Sequence, residues 1–348
     1  MGLFIRKATG WSIKEVASWE NLKLASNRAS LGKRRRPDVE IWMRNEESEL
    51  LKLRHDLLEG SYRPGGYRFF EITIPKRRTI AAAPFRDRVL HHALCRYMAP
   101  AIERRFIQRS FSCQKAKGTT AARDCCRRLV NTHNHALKCD IRKFFPSINH
   151  LVLRQKLDGI SRCSRVLDLI DSIIESYATE ADCNSPLSIE APLSHPGRCG
   201  LPIGNLTSQM WGNLYLDGLD HWVTETKSHG AYLRYTDDFI LFADDKNLLW
   251  DLRNGIVLEL NKICLTLAEP KSRLLLTREG IPFCGFRFFP GLRPRILGAT
   301  KRRFEKQRRL LAKQKRYASL TTKVYSWYQF SREANSIGLR KAYRSDSF

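Results

Sequence analysis

Residues 233–242 read LRYTDDFILF. Two adjacent acids, Asp237 and Asp238, lie between two runs, 231–235 and 239–243, with the aromatic and aliphatic character of buried strands. The intervening TDD is short enough to turn one strand back on the other as a hairpin. One reading is an ordinary turn, because Asp side chains bond nearby backbone amides and favour such positions. A second reading comes from KCDIRKFFPSI at 138–148, where Asp140 closes another short apolar strand, HALKCDI at 135–141. If the two strands are neighbours, three carboxylates converge. Unit charges about 4 Å apart repel by about 4 kcal/mol at an effective dielectric of about 20, so such a cluster raises a pKa or takes up cations. Hard divalent cations prefer carboxylate oxygen, and Mg²⁺ commonly takes one or two carboxylates together with substrate phosphates. Two metals about 3.5–4 Å apart can activate an attacking hydroxyl and stabilise a leaving pyrophosphate.

The charge balance points toward the same chemistry. Lys and Arg number 61 against 35 Asp and Glu, a net charge of +26 over 348 residues. So basic a surface repels itself, and a polyanionic partner is the usual reason to tolerate it; the plainer alternative is a generally solvated basic surface. With 43% apolar residues the chain can build a sizeable core, which excludes global disorder. Ten cysteines form no CxxC pair, which argues against a zinc ribbon or redox motif; mostly buried, reduced thiols are expected. No apolar stretch approaches the roughly 18 residues of a membrane span, and the start MGLFIRKATG lacks a signal-like apolar segment. A cytoplasmic protein with no membrane partner is therefore expected.

No internal repeat is present. Helices are predicted in the first thirty residues, through 39–60 ending at Gly60, over 88–106 with a break at Pro100, and over 151–177, 207–223, 249–267 and 301–316. Strands are predicted at 67–75, pairing with 76–80 as a hairpin, and at 135–141 and 283–289, the last interrupted by Gly285. The polar segment 178–200 reads as a long loop without an assigned role. From 135 to 289 the order is strand, helix, helix, two strands, helix, strand, which predicts an α+β sheet with helices on one face. THNH at 132–135 has the letters of a nuclease motif but runs straight into a strand and lacks further ligands, so no nuclease is expected.

Several of these stretches, taken in order, resemble the motifs of reverse transcriptases. DIRKFF (140–145), LPIGNLTSQ (201–209), YTDD (235–238), LAEPK (267–271) and FCGFRF (283–288) resemble successive palm motifs. IPKRRTIAAAPFRDRVLHHAL (74–94) resembles the fingers segment of the bacterial enzymes. The resemblance implies a right-hand polymerase with an RRM/ferredoxin-like antiparallel palm sheet and a helical thumb. Residues 1–134 would form N-terminal helices and fingers, 135–290 the palm with motifs A to E, and 291–348 a basic thumb.

Residue by residue, it implies that Asp140, Asp237 and Asp238 are catalytic. With the Ile141 backbone carbonyl they would hold two Mg²⁺ ions, Mn²⁺ being an alternative. Lys76 and Arg78 would grip the incoming triphosphate, or else be a solvated basic hairpin. Phe145 would reject a 2′-hydroxyl as a steric gate, or else be aromatic core. Ile203, Gly204 and Gln209 would complete the dNTP-binding site beside the nascent pair. Lys271 would serve near the pyrophosphate as proton donor or charge partner, or else be a surface lysine. Phe283, Cys284, Gly285 and Phe286 would form a primer grip, with Gly285 bending the chain toward nucleic acid. Lys301, Arg302, Arg303, Arg308, Arg309 and Lys313 would touch duplex phosphates, which position rather than read sequence; the alternative is a solvated helix. Thr236, where relatives carry Met or Ala, is small and β-branched and should fit.

Many reverse transcriptases carry Gln-Gly where this chain has Ile203-Gly204. IGNLTSQ resembles the enzymes of diversity-generating retroelements, which copy a template-repeat RNA with errors opposite adenine so that the cDNA diversifies a target gene. An apolar Ile offers shape and dispersion where a Gln amide would hydrogen-bond, and apolar sites discriminate less well. The implied partners are template RNA, the RNA/cDNA duplex, dNTPs and a small basic oligomeric accessory variability protein. Two other readings stand beside this one: a group II intron-derived or phage-defence reverse transcriptase, and a non-catalytic RNA-binding scaffold.

Overall fold

The computed structural model describes residues 12–73, 77–179, 198–225 and 230–345. Four helices come first: α1 (Ile13–Val16), α2 (Trp19–Ser30), α3 (Pro37–Arg44) and α4 (Glu46–Glu59). The single helix expected through 39–60 is broken at Asn45, whose φ of −113° leaves the helical range; Asn competes for backbone bonds and favours such junctions. Gly60 ends α4 in the left-handed region, φ 76°, as glycine allows. A two-stranded hairpin follows, β1 (Arg68–Ile72) against β2 (Arg78–Ala82), with Ile72 opposite Arg78. Next are α5 (Phe85–Glu103), which keeps Pro100 inside it, and α6 (Thr119–Thr132).

The central region runs β3 (His135–Asp140), α7 (Phe144–Ser147), α8 (His150–Asp158), α9 (Ser164–Glu175), α10 (Leu206–Tyr215), α11 (Asp217–Glu225), β4 (Ala231–Tyr235), β5 (Asp238–Ala243), α12 (Lys246–Lys262) and β6 (Arg273–Leu276). Each of the expected helices over 151–177 and 207–223 is thus a pair. Most of the 178–200 loop lies outside the described residues, but its ends meet, Thr179 N donating to Cys199 O at 2.9 Å. Among the described residues eight cysteines are free thiols, while Cys199 is disulfide-bonded, against the expectation of reduced thiols. The chain finishes with β7 (Ile281–Phe283), β8 (Phe286–Phe288), β9 (Arg295–Ile296), α13 (Gly298–Lys313), α14 (Tyr317–Ser331) and α15 (Ile337–Ser345).

The organising element is an antiparallel four-stranded sheet in the order β4-β5-β3-β6. Its architecture is the expected α+β class, with one difference: both faces of the sheet are covered. Leu137, Cys139, Phe239 and Leu241 pack into a core shared with α5 and α8 to α12. Ala136, Leu233, Ile240 and Phe242 pack on the opposite face with Cys126 and Leu129 of α6, Phe283 and Phe286 of the small β7-β8-β9 sheet, and Phe304 and Trp327 of α13 and α14. The cause is in the sequence, for FILFA has no polar residue to turn outward and both faces must be hidden. Phe239, Ile240, Leu241 and Phe242 are each at most 1% exposed, and such burial stabilises by about 1.5–3 kcal/mol per side chain. Phe304 and Trp327 stack with centroids 4.3 Å apart, fastening α13 to α14. Among the described residues no helix is long and apolar enough to cross a membrane.

Candidate active site

The β3–β5 register places Asp140 directly opposite Asp238, and the two-residue link Thr236-Asp237 joins β4 to β5 with Tyr235 opposite Asp238. The three acids therefore meet at one end of the sheet, as the apolar pattern of the two strands anticipates. Asp237 and Asp238 are both half-buried. Burial pushes both carboxyls above the usual carboxylate range, and the Asp140 charge pushes the same way.

Cationic side chains answer part of that repulsion. Lys271, in the helical turn Glu269–Lys271, donates from Nζ to Asp140 Oδ2 at 2.5 Å. Lys138 Nζ lies 2.7 Å from the Asp238 carboxylate and donates to Oδ2. The same Nζ stands 2.7 Å from Oδ1, so both oxygens of Asp238 face the ammonium. Asp237 has no ion pair with a described residue; Arg78 and Lys271 act on it only through their charge. Three carboxylates at one sheet end make an all-oxygen donor set, the kind a hard divalent cation prefers. Among the described residues no three His, Cys, Asp or Glu side chains are already gathered as a metal centre, and the two ammonium groups stand where positive charge is required.

The structure brings Arg78, at the start of β2, to the same end of the molecule as Asp237. Lys76 lies outside the described residues. Phe144 is core at 3% exposure, while Phe145 is half-buried beside it, ring centroids 5.2 Å apart. Both rings abut Gly212 of α10, where an added Cβ would sit 3.2–3.3 Å from them. Phe145 O also accepts from Leu201 N at 2.9 Å, joining the segment after Asp140 to the LPIGN segment. Gly204 takes φ 126°, and a Cβ there would approach Ile80 Cγ2 to 3.3 Å, so the Ile203-Gly204 turn lies against β2. Ile203 is half-buried and Gln209 exposed. Ile141 is buried, and the main chain on either side of it is tied to 266–268, Ala268 N donating to Asp140 O at 2.8 Å.

FCGFRF forms a hairpin rather than one interrupted strand. Cys284 and Gly285 are its two turn residues, φ 42° and 89°, the left-handed pair that tight hairpins favour. Phe283 and Phe286 are core residues at 1% and 0% exposure. Gly285 backs onto Phe330, 3.0 Å from a would-be Cβ, instead of bending toward an open surface. The turn backbone and the half-buried Cys284 remain the accessible part. On α13, Lys301, Arg302, Arg303 and Lys313 are exposed, whereas Arg308 and Arg309 pair with Glu305.

Two neighbours of the acids escaped the sequence reading. Lys138 carried a signal: two residues before Asp140 on a strand, it shares that acid's face. It also donates to Pro282 O at 3.0 Å, linking Asp238 to β7. Arg234 lies fully buried beneath the turn. It pairs with Asp220 at 2.5 Å and donates to Asn213 Oδ1 (3.1 Å), Ser110 Oγ (3.1 Å) and Thr236 O (3.0 Å). Thr236 itself takes φ 60°, a conformation that costs a β-branched residue about 1–3 kcal/mol. The expectation that it would simply fit is corrected accordingly: the turn is strained and held by its surroundings.

No curated protein matches the chain in sequence. Solved structures of telomerase from Candida albicans, in complex with a telomeric RNA fragment, and of apo telomerase from Candida tropicalis are similar to it. Their TM-scores are both 0.47 and their identities 14% and 11%; the alignments cover 75% and 71% of this chain. The chain spans about half the length of those proteins, 50% and 52%. Residues 73–288, well over half of the sequence and containing all three acids, match the model of the family described as reverse transcriptase (RNA-dependent DNA polymerase). The chain belongs to the reverse transcriptase family.

Proposed function

We propose that this protein is an RNA-templated DNA polymerase that makes error-prone, adenine-targeted cDNA for a diversity-generating retroelement. The observation that carries the polymerase reading is the convergence of Asp140, Asp237 and Asp238 at one sheet end, with Arg78 and Lys271 beside them. In this reading 1–134 act as N-terminal helices and fingers, 135–290 as palm and 291–348 as thumb. Two Mg²⁺ ions held by the three carboxylates and the Ile141 carbonyl would supply Lewis-acid activation of the primer hydroxyl and charge for the leaving pyrophosphate. Lys271, released from Asp140, would neutralise or protonate that leaving group. Arg78 orients the triphosphate, and Phe145, seated on Gly212, presents a ring edge to the sugar. Lys138 keeps Asp238 fixed to β7 while the other acids reorganise.

The diversifying role rests on Ile203. Its half-buried aliphatic side chain sits in the turn packed on β2, where it offers contact without a hydrogen-bonding group to test the template base. The partners that go with this role are a template-repeat RNA, its cDNA duplex, dNTPs and a small basic accessory protein, in a bacterial cytoplasm.

A primer-extension assay on purified protein, with and without Mg²⁺, tests the first claim. Asp237→Asn and Asp140→Asn should abolish cDNA synthesis and leave RNA binding intact; substantial synthesis by either variant would sink the assignment. Sequenced cDNA tests the second claim. Ile203→Gln should lower misincorporation opposite template adenine, and an unchanged error spectrum would remove the diversifying reading while leaving the polymerase one.

A further inference from the structure

Thr236 is held in a conformation that its own side chain resists, and the restraint comes from a segment far away in sequence. Arg234 N donates to Arg109 O and Phe111 N donates to Arg234 O, both at 3.0 Å. Residues 109–111 thus run along the free edge of β4. Immediately beyond, Ser112 is 3% exposed, and its Oγ accepts from Thr236 Oγ1 at 2.9 Å. Its carbonyl accepts from Asn213 Nδ2 of α10 at 2.7 Å. The next residue, Cys113, donates from Sγ to Gln209 Oε1 at 3.2 Å on the same helix. From the other side, the buried Arg234 guanidinium holds the Thr236 carbonyl and the Ser110 hydroxyl.

We propose that Ser112 is a positioning residue for the catalytic turn: its hydroxyl and the Arg234 guanidinium clamp Thr236 in the left-handed region and so fix where Asp237 and Asp238 point. The inference rests on reading those acids as catalytic. A left-handed β-branched residue relaxes toward φ < 0 when its restraints are removed, and any such rotation swings the following carboxylate. Among the described residues Ser112 is hydrogen-bonded to Thr236 and Asn213 rather than to the acids. Its influence passes through one hydroxyl pair onto one strained residue, so the identity of residue 236 must decide how much Ser112 matters. A serine that merely filled space would matter equally whatever stood at 236.

The test compares Ser112→Ala, Thr236→Gly and the double variant. Each is assayed for steady-state primer extension and for hydrogen–deuterium exchange of the peptide covering 231–239. Ser112→Ala should lower kcat about 5- to 10-fold, equivalent to about 1–1.4 kcal/mol. The dNTP KM should stay within about two-fold, and amide exchange in the turn should quicken. Glycine adopts φ > 0 freely, so adding Ser112→Ala to Thr236→Gly should change kcat by less than about two-fold. Unchanged kcat and exchange in Ser112→Ala, or an equal defect in both backgrounds, overturns the proposal. If Ser112→Ala does not fold, Thr236→Val takes its place as a single variant, keeping the β-branch and losing the hydroxyl; it should show the same kcat loss and quickened exchange, and wild-type values for both would overturn the proposal. The exchange measurement needs no activity. Wild-type protein that extends no primer removes the polymerase reading, while the turn's exchange still decides for or against the clamp.

Discussion

Replacing Arg234 with Met should cost about 3–5 kcal/mol of folding stability, the usual penalty for leaving one member of a buried ion pair alone. Both partners of the Arg234–Asp220 pair have 0% side-chain exposure, so water cannot take over when the guanidinium is removed. Asp220 would keep the Tyr232 hydroxyl at 2.7 Å, one neutral donor in place of a bidentate cation. Asn213 Oδ1 and Ser110 Oγ would lose a charged donor as well. Asp220→Leu should cost a similar amount by stranding the cation. The double variant Arg234→Met/Asp220→Leu removes both charges at once and should be milder than either single change, because well-packed apolar side chains often replace a buried pair without loss. Urea denaturation at pH 7, followed by tryptophan fluorescence and circular dichroism together, measures all three against wild type; coincident transitions license the comparison. The penalty should persist in high salt, since screening reaches buried pairs poorly. By contrast, the exposed Arg77–Glu71 pair should be worth less than about 1 kcal/mol. Single-variant penalties below about 1 kcal/mol, or a double variant equal to the sum of the singles, would refute the buried-pair reasoning.

Other expected outcomes follow from separate features. Burial pushes His91 down to about 3 from 6.5, so it stays neutral in the fold while the unfolded chain takes up its proton. The stability it preserves above pH 6.5 is therefore lost as the pH falls. At pH 5 the loss is about 2 kcal/mol, and His91→Leu should flatten the pH 7-to-5 stability difference by that amount in urea titrations. Gly285→Ala should destabilise by about 1–2 kcal/mol, because φ is 89° and the new methyl meets Phe330 at 3.0 Å; thermal melts report it directly. Replacing the exposed Lys301, Arg302 and Arg303 together with Ala should weaken RNA binding. It should also lower the slope of log K against log[salt] by up to about 2–3, at about 0.7–0.9 for each phosphate no longer neutralised. An unchanged slope would place the RNA elsewhere.

The site was legible where chemistry and strand period coincide. HALKCD and LRYTDDFILF carry apolar runs that end in acids, and antiparallel pairing of such runs brings the acids together. Other features were hidden for identifiable physical reasons. The helices over 151–177 and 207–223 continue their apolar pattern across the breaks near 159 and at 216, so periodicity cannot mark them. Arg234 was visible as a lone charge inside an apolar strand, the kind of buried polar residue that demands a partner, yet nothing local indicated Asp220. Ser112 and Thr236 are 124 residues apart, and their contact exists only because the 109–111 segment adopts the edge of β4. For Gly285, sequence located the bend correctly; packing against Phe330 decided which way it faces.

The pairing of β3 with β5 also bears on how newly made chains mature. Leu137, Cys139, Phe239 and Leu241 belong to one core, and Ala136, Ile240 and Phe242 to the other. A slip of one residue would exchange the two sets and move Asp140 off Asp238 in the same step. Correct alignment of the acids and correct filling of the two cores are thus a single event. A misaligned chain would lack the acid cluster and also be loose enough for proteases to remove, so assembly of the acids and resistance to degradation should arrive together during biosynthesis.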